Sequence, residues 1–213
     1  ILMLAQGASG YNNYTHWLLD IIPRIKLFSL ASIKKLDFIY LNKPNKVQKD
    51  LLKVIGYNNI NFINSLKNRH IFANKLFMCT HPNYQNGTIM EAHSHIPIWI
   101  IKYIKKKYIH LAEKKVKKKF KIFIDRSDSI YSHCKFINNE EIKKFLISRG
   151  FKIVRLSNLS LKRQISIFNN SEIIIGPHGA GFANLIFCKK KTKVIEIKPN
   201  DHPNIVYERI SKI

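Results

Sequence analysis

What this 213-residue chain lacks narrows its reading quickly. No stretch approaches the ~20 uninterrupted apolar residues that a membrane-spanning helix needs, and the longest candidate, residues 96–104, is broken by Lys102. The opening five residues carry no basic flank and run into a polar stretch, so no secretory leader is read there. The chain opens on Ile rather than Met, which fits a fragment of a longer protein. Cysteine is scarce: Cys79, Cys134 and Cys188 lie far apart and form no CxxC pair. That excludes a disulfide framework or a cysteine zinc site and points to a reducing, cytoplasmic setting. GxSxG, GxxxxGK[ST] and HExxH are absent, which sets aside serine hydrolases, P-loop NTPases and zincins. No DxD occurs, and the nearest pattern is Asp125-Arg126-Ser127-Asp128.

Acidic residues are also few, 13 Asp and Glu against 37 Lys and Arg, giving a formal net charge of +24. Lys supplies 30 of the 37, and Lys, Ile and Asn together make 85 of the 213 residues. AT-rich codons produce that bias, whereas nucleic-acid readers favour Arg for its bidentate fork. The charge is therefore read as solvated faces, and no nucleic-acid partner is expected. With 46% hydrophobic and 23% charged residues the chain is globular, and its length suits one large domain or two small ones.

Periodicity and punctuation divide the chain into two α/β halves joined by a basic helix. In the first half, residues 1–95, a helix is predicted over 14–31, strands over 36–41, 60–64 and 71–79, and a helix over 47–55 closed by Gly56. Pro23 should kink the first helix by removing a donor. A helical stretch over 96–121 carries ten Lys, including Lys105, Lys106, Lys107, Lys117, Lys118 and Lys119, and its part over 96–119 links the halves. It reads as a solvated face, or as a peripheral contact with the inner face of an anionic membrane. In the second half, 120–213, strands fall at 121–124, 151–156, 173–175 and 194–197. Helices fall at 140–148, capped by Asn138 or Asn139 and stopped at Gly150, and from Ser160 to Phe168. A glycine-rich turn feeds a short helix to Phe187, and any closing helix lies within 204–213 or beyond the chain. This βαβαβαβ order predicts a doubly wound parallel sheet of the Rossmann type.

The candidate chemistry gathers at a few places. The turn Gly176-Pro177-His178-Gly179-Ala180-Gly181 follows a strand and opens a helix, so its glycines either let the backbone approach a diphosphate or serve packing. Arg126 follows the first strand of this half, where a guanidinium fork suits phosphate oxygens, and Asp125 would hold it in place or form a surface ion pair. Glu196, near the end of the last strand, is placed either to accept ribose hydroxyls or as an edge residue. In the first half His16, Asp20 and Arg24 are spaced by four and share a helix face with Asn13 just before it. Asp20 could orient His16 as a general base or act as the base itself. His93 and His95 form an HxH with His81 nearby, but no carboxylate partner is evident and no metal is expected.

In this order the pieces resemble glycosyltransferase family 61, the DUF563 group of capsular-polysaccharide-type bacterial proteins and eukaryotic xylosyl- and N-acetylglucosaminyltransferases. The residues that carry the likeness are Asn13-Tyr14-Thr15-His16-Trp17-Leu18-Leu19-Asp20, Pro23-Arg24, Ile124-Asp125-Arg126, Gln164, Pro177-His178-Gly179-Ala180-Gly181, Asn184 and Val194-Ile195-Glu196. It spans residue 11 to about 200, and the likeness leads us to expect the family's usual N-terminal extension outside this chain and its C-terminal closing helix outside it or within 204–213. What the resemblance implies is a GT-B-like α/β fold, two Rossmann-like lobes with parallel sheets facing a cleft, incomplete at both ends. It also implies an inverting hexosyl- or pentosyltransferase that uses a nucleotide-diphosphate sugar, a glycan or lipid-linked glycan acceptor and no metal or other cofactor, in surface polysaccharide biosynthesis. By the same likeness His178, Gly179, Ala180, Gly181, Asn184 and Arg126 would hold the donor diphosphate and Glu196 the nucleoside. His16 and Asp20 would be catalytic, with Asn13, Arg24 and Asp125 supporting. A non-catalytic nucleotide- or carbohydrate-binding protein with a degraded GT-B fold is the alternative.

Overall fold

Short apolar strands alternate with helices through most of the chain, and this pattern builds two four-stranded, wholly parallel sheets. A computed structural model describes residues 1–5, 13–31, 33, 35–82, 95–113, 119–129, 134–202 and 204–213. It divides into two compact units, Ile1–Lys107 and Tyr108–Ile213.

The first sheet comprises β1 (Leu2–Met3), β2 (Phe38–Leu41), β3 (Asn61–Asn64) and β4 (Phe77–Met78), ordered β3-β2-β1-β4. β1 lies at an inner position although its two residues gave too short a run to register as a strand. The strand expected over 71–79 contracts to β4, because pairing with β1 supports only Leu2 with Phe77 and Met3 with Met78. Just before it, Phe72 is 91% exposed.

The helix expected over 14–31 forms with a change of winding. It starts as α1 (Tyr14–His16), widens into a π-turn (Trp17–Ile21) and continues as α2 (Ile22–Phe28). Pro23, which has no N–H to give to the turn below, follows at once on the shift to i→i−5 bonding marked by Ile22 N–H donating to Trp17 O. Trp17, Leu18, Leu19, Ile21, Ile22, Ile25 and Phe28 are buried together, each contributing about 1.5–3 kcal/mol of burial free energy. Phe28 packs edge-on against Phe77 of β4 with centroids 5.7 Å apart, which sets this helix over the end of the sheet. α3 (Lys46–Val54) starts from a capping box between Asn45 and Gln48.

The basic helix is shorter than expected. α4 (Ile98–Tyr108) gives way to a 3₁₀ turn at Ile109–Leu111, and strand begins at Phe120. Lys117 and Lys118 lie outside the described residues. Among the described residues no helix is long and apolar enough to cross a membrane.

The second sheet comprises β5 (Phe120–Ile124), β6 (Lys152–Val154), β7 (Ser171–Pro177) and β8 (Lys193–Ile197), ordered β6-β5-β7-β8. α5 (Asn139–Ser148) follows Asn138, whose side chain donates to Glu141 at 3.2 Å instead of capping the helix. Gly150 (φ +80°) turns the chain out of α5 in the left-handed region that glycine tolerates. α6 (Leu161–Asn169) is capped by Ser160 and buries Leu161, Ile165 and Phe168. The short helix after the glycine turn is of 3₁₀ type, Ala180–Phe187, and α7 (Val206–Ser211) closes the unit.

Candidate functional site

In parallel α/β sheets ligands bind beyond the carboxyl ends of the strands, at the point where the strand order reverses. In the second sheet that point lies between β5 and β7, because β6 continues outward from one and β8 from the other. Arg126 follows β5 and residues 178–181 follow β7, so both candidates occupy this place.

Arg126 donates through Nη1 to the His178 carbonyl and through Nη2 to Ser129 Oγ at 3.3 Å. Its guanidinium fills the space that Gly179 leaves open: a Cβ there would come within 2.4 Å of Cζ. At Gly181 the space is taken by Leu156, whose Cδ1 would stand 2.5 Å from a Cβ. The sequence left these two glycines between clearing room for a diphosphate and packing, and in the structure protein side chains fill both gaps, as the packing alternative has it.

The His178 ring is almost buried. Its Nδ1 is 2.5 Å from Glu196 Oε1, and it packs against His202 and Tyr207 with centroids 4.1 and 5.1 Å away. Gly176 and Glu196 are register partners on β7 and β8, which brings this carboxylate beside the turn. Asn184 is fully buried and donates to Gln164 Oε1 and the Gly181 carbonyl, both at 3.1 Å, thereby fixing the turn from beneath. The Ala180 end of the 3₁₀ segment supplies the backbone of the turn.

Of the two roles open to Asp125, holding Arg126 or forming an ion pair, the structure shows ion pairs, with a carboxylate that is buried rather than at the surface. Its carboxylate takes Arg155 Nε at 2.8 Å, Lys143 Nζ at 3.0 Å and the Ser127 N–H and hydroxyl. Burial pushes its pKa upward, yet these donors outweigh burial and hold it well below the usual carboxylate range. Asp125 is therefore a fixed anchor beneath the site, and Arg126 is free of it.

The first unit has its own reversal between β1 and β4, since β2 and β3 continue beyond β1. The helix after β1 brings Asp20 here and the segment after β4 brings His81. His16 Nδ1 is 2.6 Å from Asp20 Oδ2, as the spacing predicted, and Asp20 is 1% exposed. Asn13 caps the helix: its Oδ1 accepts from Thr15 N–H at 2.9 Å and His16 N–H at 3.4 Å. Arg24 is fully buried, donating through Nε to the Asp20 carbonyl at 3.2 Å and through Nη2 to Leu4 O at 2.8 Å. It ties the end of β1 to the helix, and burial lowers its pKa against the raising influence of Asp20.

Sequence reasoning missed the partner of His81, whose Nε2 lies 3.1 Å from Asp20 Oδ1. His81 drew notice only beside His93 and His95, and His93 lies outside the described residues. The overlooked signal was its position just past the end of a strand in a parallel sheet. Among the described residues no group of three or more His, Cys, Asp or Glu is arranged to hold a metal. Also missed were His202 and Tyr207, which sequence reading had no reason to bring to His178.

Two comparisons bear on this arrangement. The family model described as glycosyltransferase 61 matches residues 14–195, a span that contains every contact to Asp20, Arg126 and Asp125 given above. No curated protein matches the sequence.

Proposed function

The chain belongs to the glycosyltransferase 61 family, whose substrates are a sugar donor and an acceptor, and on that premise we propose an inverting, metal-independent transferase that moves a hexosyl or pentosyl unit from a nucleotide-diphosphate sugar. The acceptor is a glycan or lipid-linked glycan hydroxyl in surface polysaccharide synthesis. The reading takes the two units as the lobes of a GT-B-like enzyme, one serving the donor and the other the acceptor. The basic helix α4 suits work at an anionic membrane surface.

The observation that carries this reading is the meeting of Arg126, the 178–181 turn and Glu196 at the strand-order reversal of the second sheet. In transfer, the acceptor oxygen attacks the anomeric carbon as the bond to the diphosphate breaks, and the nucleoside diphosphate leaves with the bonding pair. Charge accumulates on the leaving oxygens and a proton must leave the acceptor. Arg126, turning from the His178 carbonyl to the diphosphate, neutralises the first, aided by backbone N–H groups of the turn. Glu196, steadied by His178, accepts from a ribose hydroxyl. His16 takes the acceptor proton while Asp20 stabilises the imidazolium, as an orienting carboxylate does in general-base catalysis.

The test is a thermal-shift panel of UDP, GDP, CMP and their sugars, followed by product analysis with the nucleotide that binds. One nucleotide-sugar should raise Tm and yield a product of inverted anomeric configuration. Binding without transfer or donor hydrolysis would favour the degraded, non-catalytic alternative, and no binding at all would remove the donor site.

A further inference from the structure

Asp20 is approached from two sides: His16 Nδ1 faces Oδ2 at 2.6 Å and His81 Nε2 faces Oδ1 at 3.1 Å. A buried ionised carboxylate only accepts hydrogen bonds, so each imidazole must turn an N–H toward it. We propose that His81 is a positioning residue, an imidazole held in its Nε2–H tautomer. It clamps Asp20 so that His16 is held as the Nδ1–H tautomer with Nε2 as the basic atom. The catalytic part of this inference rests on the function proposed above, while the tautomers do not.

His81 Nδ1 is buried and has no hydrogen-bond partner among the described residues. A proton on Nδ1 would be a buried donor with no acceptor among the described residues, which favours the tautomer that carries its proton on Nε2 and gives it to Asp20. His16 from α1 and His81 from the segment after β4 face this carboxylate, Arg24 from α2 bonds the Asp20 carbonyl, and Cys79 lies near Arg24. Arg24 donates to the Asp20 and Leu4 carbonyls, and burial pushes the Cys79 thiol upward. By donating to Oδ1, His81 withdraws part of the charge that Asp20 would otherwise present to His16 and thus sets the basicity of the base.

The experiment is ¹⁵N NMR of the histidine rings in the whole chain without substrate, for wild type, His81→Gln and His81→Phe. Wild type should show His81 as the Nε2–H tautomer and His16 as the Nδ1–H tautomer. His81→Gln can still donate to Asp20 and should leave the His16 midpoint in place. His81→Phe should move that midpoint to higher pH. With substrates, His81→Phe should lower kcat about tenfold, the kinetic equivalent of one hydrogen bond. KM for the donor should hold, and the acid limb of kcat/KM should rise in pH with the His16 midpoint. An Nδ1–H tautomer at His81, or identical profiles for the Gln and Phe variants, would overturn the proposal. If the tautomers appear as stated but no sugar is transferred, the assigned activity fails and the histidine assignment stands.

Discussion

The Arg126 guanidinium lies directly over Gly179, in the volume where any other residue would place its Cβ, and donates to the carbonyl of the residue before it. A methyl at position 179 would meet Cζ, Nε and Nη1 within 2.4–2.6 Å. Those atoms are the far end of a flexible side chain, so the arginine yields rather than the backbone. Gly179→Ala should therefore fold with a stability loss under about 1 kcal/mol. It should weaken nucleoside diphosphate binding about 10–100-fold, as loss of a charge-assisted contact does. Arg126→Ala should match it. Calorimetry giving either variant wild-type affinity would separate Arg126 from the donor.

His16 tests the acceptor side alone. With its Nδ1 on Asp20, His16→Ala should lower turnover by the ~10²–10⁴ that lost acid–base help costs, while donor affinity holds. Asp20→Asn should do the same through a different route, since a neutral amide neither selects the Nδ1–H tautomer nor stabilises the imidazolium. Unchanged turnover in His16→Ala would leave Asp20 as the base.

The parts of this architecture visible in the sequence were those written in local patterns. The 3.6-residue spacing of Trp17, Leu18, Ile21, Ile25 and Phe28 marked the first helix, and the four-residue spacing of His16 and Asp20 marked their contact. Helix ends at Gly56 and Gly150 were legible because only a residue free of Cβ sits easily at positive φ. What escaped depends on pairing between distant strands. β1 is two residues long and becomes a strand only because β2 and β4 flank it. That same pairing delivers His81 to Asp20 across 61 positions, and no local period encodes it. The partners of Asp125 escaped for a related reason: adjacency to Arg126 in sequence concealed that successive residues leaving a strand point apart, which sends Asp125 to Lys143 and Arg155.

Asp125 also predicts an acid sensitivity of the second unit. Its pKa is depressed in the folded chain, so it binds a proton less readily folded than unfolded. Its stabilisation is fully present above the unfolded value of about 4 and is lost as pH falls below that toward the folded value. Asp125→Asn should cost about 1–3 kcal/mol at pH 7, by weakening the contacts of this buried carboxylate to Arg155 and Lys143, although Lys143 keeps Glu140 at 2.8 Å. The same variant should lose less further stability than wild type between pH 5 and 3, within the ~pH 5 to 1 window of a salt-bridged Asp. Urea unfolding at the three pH values checks both, and a parallel decline in the two proteins would contradict the role.

Tyr207 packs the C-terminal helix against the turn of the proposed donor site. It is 4% exposed and covers His178 at 5.1 Å and Phe182 at 5.8 Å between centroids, so one ring spans both the turn and the 3₁₀ segment after it. Tyr207→Ala should cost about 3–5 kcal/mol, the usual range for removing a buried aromatic ring. Tyr207→Phe preserves both ring contacts and should retain most of that stability. The consequence for function follows from His178, whose Nδ1 contact with Glu196 is shielded by the rings of Tyr207 and His202. With the cover gone, water competes for that contact and the turn loosens. Nucleotide affinity should then fall in Tyr207→Ala even at temperatures where the chain remains folded. Denaturation and calorimetry on the same samples decide it: a stable Tyr207→Ala protein with intact nucleotide binding would show α7 to be dispensable to the site.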